Sequence, residues 1–184
     1  MGDQIFANAL DFHESAQRCF ENREQNGRSN FPVMPGIVGL AFACELYLKA
    51  LFVMETGQPK AAGTHRLNVL FGKLTDKSRE AIIERYSYRR RGVGGLDLMA
   101  DLLTFSNAFV EFRYVYEQKS AEIDVTGLAQ LTSSLYEAIL QMRPDLQAPQ
   151  YEHARLTAAA QGLPMFGGIA ARPIRPAEDG GRRE

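Results

Sequence analysis

Along most of this chain apolar side chains return every three or four residues, the spacing that gathers them on one side of an α-helix. From Gln4 to about Arg23, one side collects Ile5, Phe12, Ala16, Cys19 and Phe20 and predicts a first helix. The next stretch, NGRSNFPVMPG, is dense in turn residues and predicts a loop. A second helix is predicted from about Gly36 to Glu55, apolar almost all round. It stops at Gly57, a residue suited to a left-handed C-terminal cap. In THRLNVLFGKL, Thr64 is a candidate N-cap, and Leu67, Leu70, Phe71 and Leu74 make an i, i+3, i+4, i+7 stripe. DKSREAIIERYSYRR predicts a helix capped by Asp76 and closed by the RGVGG loop. The longest single-faced pattern is LDLMADLLTFSNAFVEFRYVYEQ, with Leu98, Leu102, Phe105, Phe109, Phe112 and Tyr116 in register. A last helix, DVTGLAQLTSSLYEAILQM, aligns Leu128, Leu131, Leu135, Ile139 and Met142, opens on Asp124 or Thr126, and ends at Pro144.

No stretch alternates with the period of a strand, and no internal repeat is found. The pattern predicts an all-α bundle of five to six helices over residues 1–150. Residues 151–184 form a C-terminal extension. From Gly162 onward its Gly, Pro and charge show no periodicity, which predicts a flexible tail.

A chain of 184 residues with 45% hydrophobic content can build one substantial core. Its 21 basic and 22 acidic residues nearly cancel, so bulk electrostatic attraction to nucleic acid or membrane is excluded. Any nucleic-acid contact needs a local basic patch, and Arg85, Arg89, Arg90 and Arg91 form the best one. Such a run equally serves as a solvated face that complements a helix C-terminus. Cys19 and Cys44 lack metal-ligand spacing and predict buried free thiols in a reducing cytosol. The polar N-terminus does not resemble a secretory signal, and Glu45 and Lys49 interrupt the longest apolar run. A cytoplasmic protein without a membrane span is therefore expected.

Candidate chemistry sits inside the helical pattern. Glu45 and Lys49 lie one turn apart on the most apolar helix. As a surface ion pair they would stabilise by about 0.3–0.5 kcal/mol. Surrounded by apolar neighbours, they are also the kind of polar pair that marks a site. His65 falls at the predicted start of the next helix, where unpaired amides favour anions such as phosphate. Alone, it reads equally as an exposed loop histidine. Arg113 and Glu117 make another i, i+4 pair beside the Phe109–Phe112–Tyr116 stripe. Arginine there can hold a phosphate bidentately or bond a helix carboxylate. GQPKAAGT lacks the glycine–lysine–serine/threonine ending of a phosphate loop, and His13, His65 and His153 are too scattered for a metal site. His13 and His153 read as structural or surface residues.

The order E-x-x-x-K followed by a histidine, in ACELYLKALFVMETGQ…THRLNVLF, with the later FVEFRYVYE, resembles the HEPN superfamily of prokaryotic helical domains. The resemblance covers about Asp11 to Met142. It implies a helical bundle that commonly dimerises and a metal-independent endoribonuclease of toxin–antitoxin or antiphage type, with no cofactor. It points to Glu45, Lys49 and His65 as catalytic, with Arg113 added from its helix position. His65 would be base or acid, Lys49 and Arg113 would stabilise phosphorane charge, and Glu45 would orient Lys49 or tune His65. RNA, a second copy of the chain and an antitoxin or defence-system protein are the implied partners. The widespread signature of an arginine followed, after four to six intervening residues, by a histidine is missing. A non-catalytic HEPN binding or dimerisation module is the other reading.

Overall fold

The computed structural model describes residues 1–21, 23–25, 28–30, 32–91, 97–106 and 123–146, together with the backbone of 165–166 and 169–170. The chain divides into two compact units, Met1–Gln147 and Ala148–Glu184. The first unit is built from helices: α1 (Gly2–Cys19), α2 (Val33–Thr56), α3 (Leu67–Gly72), α4 (Asp76–Arg89), α5 (Leu98–Phe105) and α6 (Val125–Met142). Short 3-10 turns cover Pro59–Ala62 and Pro144–Leu146.

α2 is the axis of the core. Its buried residues, among them Leu40, Ala43, Cys44, Tyr47, Leu48 and Leu51, lie on every side of the helix. By length and composition α2 could cross a membrane, yet 67% of its most apolar window is buried within the protein. It begins at Val33, three residues earlier than the pattern predicts. Pro35 is tolerated there because the first-turn N–H groups have no intrahelical acceptor. Gly57 ends the helix with φ 69°, the left-handed conformation that only a residue without a Cβ adopts cheaply.

α1 runs antiparallel to α2: a Cβ added at Gly2 would meet Met54, and one at Gly36 would meet Phe20. Ala9, Ala16, Ala43 and Ala50 are almost wholly buried, and small side chains of this kind let two helix backbones approach closely. Phe12, expected on the buried side of α1, is 42% exposed and offers its ring edge-on to Phe42. His13 is buried in its place. Its neighbours are Tyr47 of α2 and Tyr136 of α6, and Phe6 stacks on the same Tyr136. Gln17 Nε2 can only donate, so His13 Nε2 accepts at 3.1 Å. Nδ1–H then donates to Tyr47 Oη at 3.2 Å, and the ring is a satisfied neutral imidazole.

Other boundaries also differ from the sequence pattern. The loop expected after α1 contains an antiparallel strand pair, Arg23–Gln25 with Arg28–Asn30. In the second unit Met165–Phe166 pairs with Ile169–Ala170. Period-2 alternation cannot be read over two or three residues, so neither pair was visible as strands. Asp76 is not the cap of α4. Thr75 holds the N-cap position, and Glu55 from the end of α2 accepts from Thr75 N (3.1 Å), Thr75 Oγ1 (2.6 Å) and Ser78 Oγ (2.5 Å). Between the two candidates for α6, Asp124 is the cap, accepting from Gly127 N at 2.8 Å. Of the long helix expected after Leu96, the described part is α5. Phe109, Phe112, Arg113 and Tyr116 lie outside the described residues, as does His153.

Burial, helped by the nearby Arg89 charge, holds the His13 pKa down at about 4 against 6.5 for a free imidazole. The folded state therefore takes up this proton later than the unfolded chain. The contribution is complete above pH 6.5 and is lost as pH falls toward 4. A shift of this size corresponds to roughly 3 kcal/mol. Urea denaturation of the native chain should show this loss between pH 7 and 4. His13→Gln should flatten the slope in that window; an unchanged slope would mean that His13 is not the group responsible.

Candidate functional site

Glu45 lies in the fourth turn of α2 with 3% of its surface exposed. A carboxylate taken out of water needs charge or donors to replace hydration. Two arrive at the same oxygen. Lys49, one turn on, places Nζ 2.7 Å from Glu45 Oε1. His65, twenty residues away in sequence, places Nδ1 2.9 Å from that oxygen. Because a carboxylate only accepts, Nδ1 carries a hydrogen, and in the neutral form of the ring Nε2 is then the nitrogen with the lone pair. The His65 side chain is 76% exposed and that of Lys49 20%. The cluster thus grades from a buried anion through a half-buried cation to an imidazole open to solvent.

The helix pattern expected His65 in the first turn of a helix capped by Thr64. The structure starts α3 at Leu67, with Arg66 at the N-cap and no side-chain cap bond. Thr64 Oγ1 instead accepts from Arg66 N at 3.2 Å, a local turn that keeps residues 64–66 out of the helix. His65 is therefore placed by Glu45 and by its loop, not by a helix terminus. The loop is pinned at both ends by buried residues, Ala62 and Leu67. Three of the four catalytic candidates come together in this way. Arg113 lies outside the described residues.

The arginine run behaves differently. Arg85 Nε donates to Gln141 Oε1 at 3.0 Å, and Arg89 forms a fork on Glu137. The steps 85 to 89 and 141 to 137 are both one helical turn, so these two contacts lock α4 antiparallel against α6. Arg90 is almost buried and bonds Asp124 Oδ2 at 3.0 Å and Gln130 Oε1 at 3.2 Å, with Asp101 3.8 Å away. Burial opposes its charge, but the Asp124 bond and the Tyr86, Asp124 and Asp101 groups outweigh it and raise its pKa. Asp124 is held below the usual carboxylate range by the Gly127 N–H first, with Arg90 adding to it against the opposing effect of burial. Tyr86, raised by burial and by its bond to Asp101, completes this joint between α4, α5 and α6. Arg91 stands over the Tyr88 ring at 4.8 Å, and both are exposed. Arg85, Arg89 and Arg90 are thus engaged within the fold, and Arg91 is the outward member of the run.

Cys44 is wholly buried, and its Sγ lies 3.1 Å from Thr132 Oγ1. Burial, only partly offset by that hydrogen bond, pushes its thiol up to about 12, which leaves no thiolate for chemistry. A cleft of about 450 Å³ opens between the ends of α1 and α4 and the start of α6, lined by Phe20, Val125 and Ala129. Its longest polar side chains, Gln17, Arg89 and Gln130, already bond His13, Glu137 and Arg90. It lacks the converging free polar groups that a ligand site needs. The Glu45–Lys49–His65 cluster remains the chemically open site among the described residues.

Lys49→Ala should leave Glu45 buried with one partner fewer and cost about 1–3 kcal/mol in urea denaturation at pH 7. His65→Ala removes a contact at an exposed ring and should cost less. If both variants match the wild-type midpoint, the carboxylate is compensated elsewhere. No family model, curated protein or solved structure matches this chain, so the role of the cluster is argued from its geometry.

Proposed function

We propose that the chain is a HEPN-type, metal-independent endoribonuclease of a toxin–antitoxin or antiphage system, working in the cytoplasm as a homodimer. The observation that carries this reading is the single carboxylate oxygen of Glu45 shared by Lys49 Nζ and His65 Nδ1. With Nδ1–H committed to Glu45, His65 Nε2 is the nitrogen that takes the proton from a ribose 2′-hydroxyl. That oxygen attacks the adjacent phosphorus, and the bond to the 5′ oxygen of the next nucleotide breaks as that oxygen takes up a proton from the imidazolium or from water. The products are a 2′,3′-cyclic phosphate and a 5′-hydroxyl. Lys49 supplies positive charge for the phosphorane, and Arg113 is the further candidate for that role. Glu45 fixes the imidazole tautomer and stabilises the imidazolium that forms.

A non-catalytic HEPN binding module is the second reading. It is favoured by the internal pairing of Arg85, Arg89 and Arg90, which leaves little of the arginine run to grip an RNA backbone.

Purified protein incubated with total RNA in EDTA should produce fragments with 2′,3′-cyclic phosphate ends. His65→Ala and Lys49→Ala should each reduce cleavage by about 10²–10⁴-fold with near-native circular dichroism. Arg113→Ala should reduce it if that guanidinium reaches the phosphate. RNA bound equally by wild type and variants, without cutting, would select the binding module. Loss of activity in EDTA with recovery in magnesium would reject this mechanism. The exposed apolar side chains Phe12, Met34, Ile83 and Leu103 support self-association, and sedimentation at micromolar concentration should give a dimer.

A further inference from the structure

The exposed His65 ring sits on a loop whose downstream anchor is made by a distant helix. Leu67 is 2% exposed, and its N–H is the first of α3, one of the donors that a helix cannot satisfy internally. Buried, that N–H requires an acceptor. It finds Ser106 Oγ, 2.9 Å away, at the C-cap of α5 and 39 residues on. Ser106 has one hydroxyl hydrogen, and Leu102 O takes it at 2.6 Å, which turns a lone pair toward Leu67. Asn68 Oδ1, at 3.5 Å, is too distant to compete well. The hydroxyl therefore acts as a relay between the last turn of α5 and the first amide of α3. Two residues upstream of that amide is His65, whose ring must meet Glu45 Oε1 at hydrogen-bond distance.

We infer that Ser106 is the positioning residue for His65. It accepts the Leu67 N–H, so the 63–66 loop has one end fixed to α5 while Glu45 fixes the ring from α2. Without it the buried amide must seek another acceptor, the loop shifts, and the Glu45–His65 bond no longer sets the tautomer. The catalytic consequence rests on the nuclease reading above; the structural one does not.

The test uses the full chain and two independent readouts. In ¹⁵N spectra, His65 of the wild type should be dominated by the Nδ1–H tautomer. Ser106→Ala should mix the tautomers while circular dichroism stays native, and Ser106→Thr, which keeps the hydroxyl, should restore the wild-type signal. If RNA cleavage is present, Ser106→Ala should lower kcat on the order of 10–100-fold with a smaller change in KM. An unchanged His65 tautomer in folded Ser106→Ala overturns the inference whether or not the protein cuts RNA. Should Ser106→Ala fail to fold, amide exchange of the wild-type chain decides. Leu67 N–H, which as the first amide of a short helix would otherwise exchange freely, should be slowed on the order of 10²-fold. Fast exchange at Leu67 overturns the inference.

Discussion

Glu45 loses nearly all of its water when α1, α3 and α6 enclose α2, and the surrounding structure has to replace that water with donors. An isolated buried carboxylate would be costly by several kcal/mol. Lys49 covers part of the deficit from the same helix at the favourable one-turn spacing. His65 covers another part from outside the helix, and to do so the chain must leave α2 and return to the fourth turn of that helix. The left-handed Gly57, the 3-10 turn at Pro59–Ala62 and the turn made by Thr64 together make that return. A charge placed in an apolar helix thus dictates the path of the next ten or so residues.

Apart from the Ser106 contact to Leu67, the polar bonds described above join helices away from the cluster. Glu55 at the end of α2 receives the first donors of α4, tying a helix end to a helix start. The arginines of α4 engage α6 through Gln141 and Glu137, and Arg90 closes the seam between α4, α5 and α6 over Asp101 and Asp124. Near Arg89, His13 is neutral, satisfied by Gln17 and Tyr47, and packed among aromatic rings. These groups are polar and paired within the fold, with only Arg90 Nε left without an acceptor among the described residues. The Glu45 cluster differs because its outermost member, His65, is exposed.

This contrast separates groups that hold the fold from groups that can act. Cys44, His13 and Arg90 each have chemistry in principle, but burial and partners remove it. Lys49 and His65 combine a defined geometry with access to solvent, the combination that an acid–base or phosphate-binding role requires.

The helix pattern was legible because a 3.6-residue period repeated over four or more turns leaves little alternative, as in α1 and α6. Gly57 was legible as a cap, and Asp124 as one of two candidates with Thr126, because such roles depend on local backbone geometry. The Glu45–Lys49 pair was legible from spacing alone. His65 was picked out for a reason the structure does not keep, a helix terminus, since α3 starts two residues later. Its meeting with Glu45 depends on a loop path that no local rule encodes. Likewise the burial of His13 in place of Phe12 follows from where α1 meets Tyr47 and Tyr136. The capture of Arg85, Arg89 and Arg90 follows from which face of α6 opposes α4. Sequence by itself determined which segments are helical and which polar residues share a turn. Tertiary structure decided which of those residues are spent on holding helices together and which are left open, because burial and pairing partners come from segments far apart in the chain.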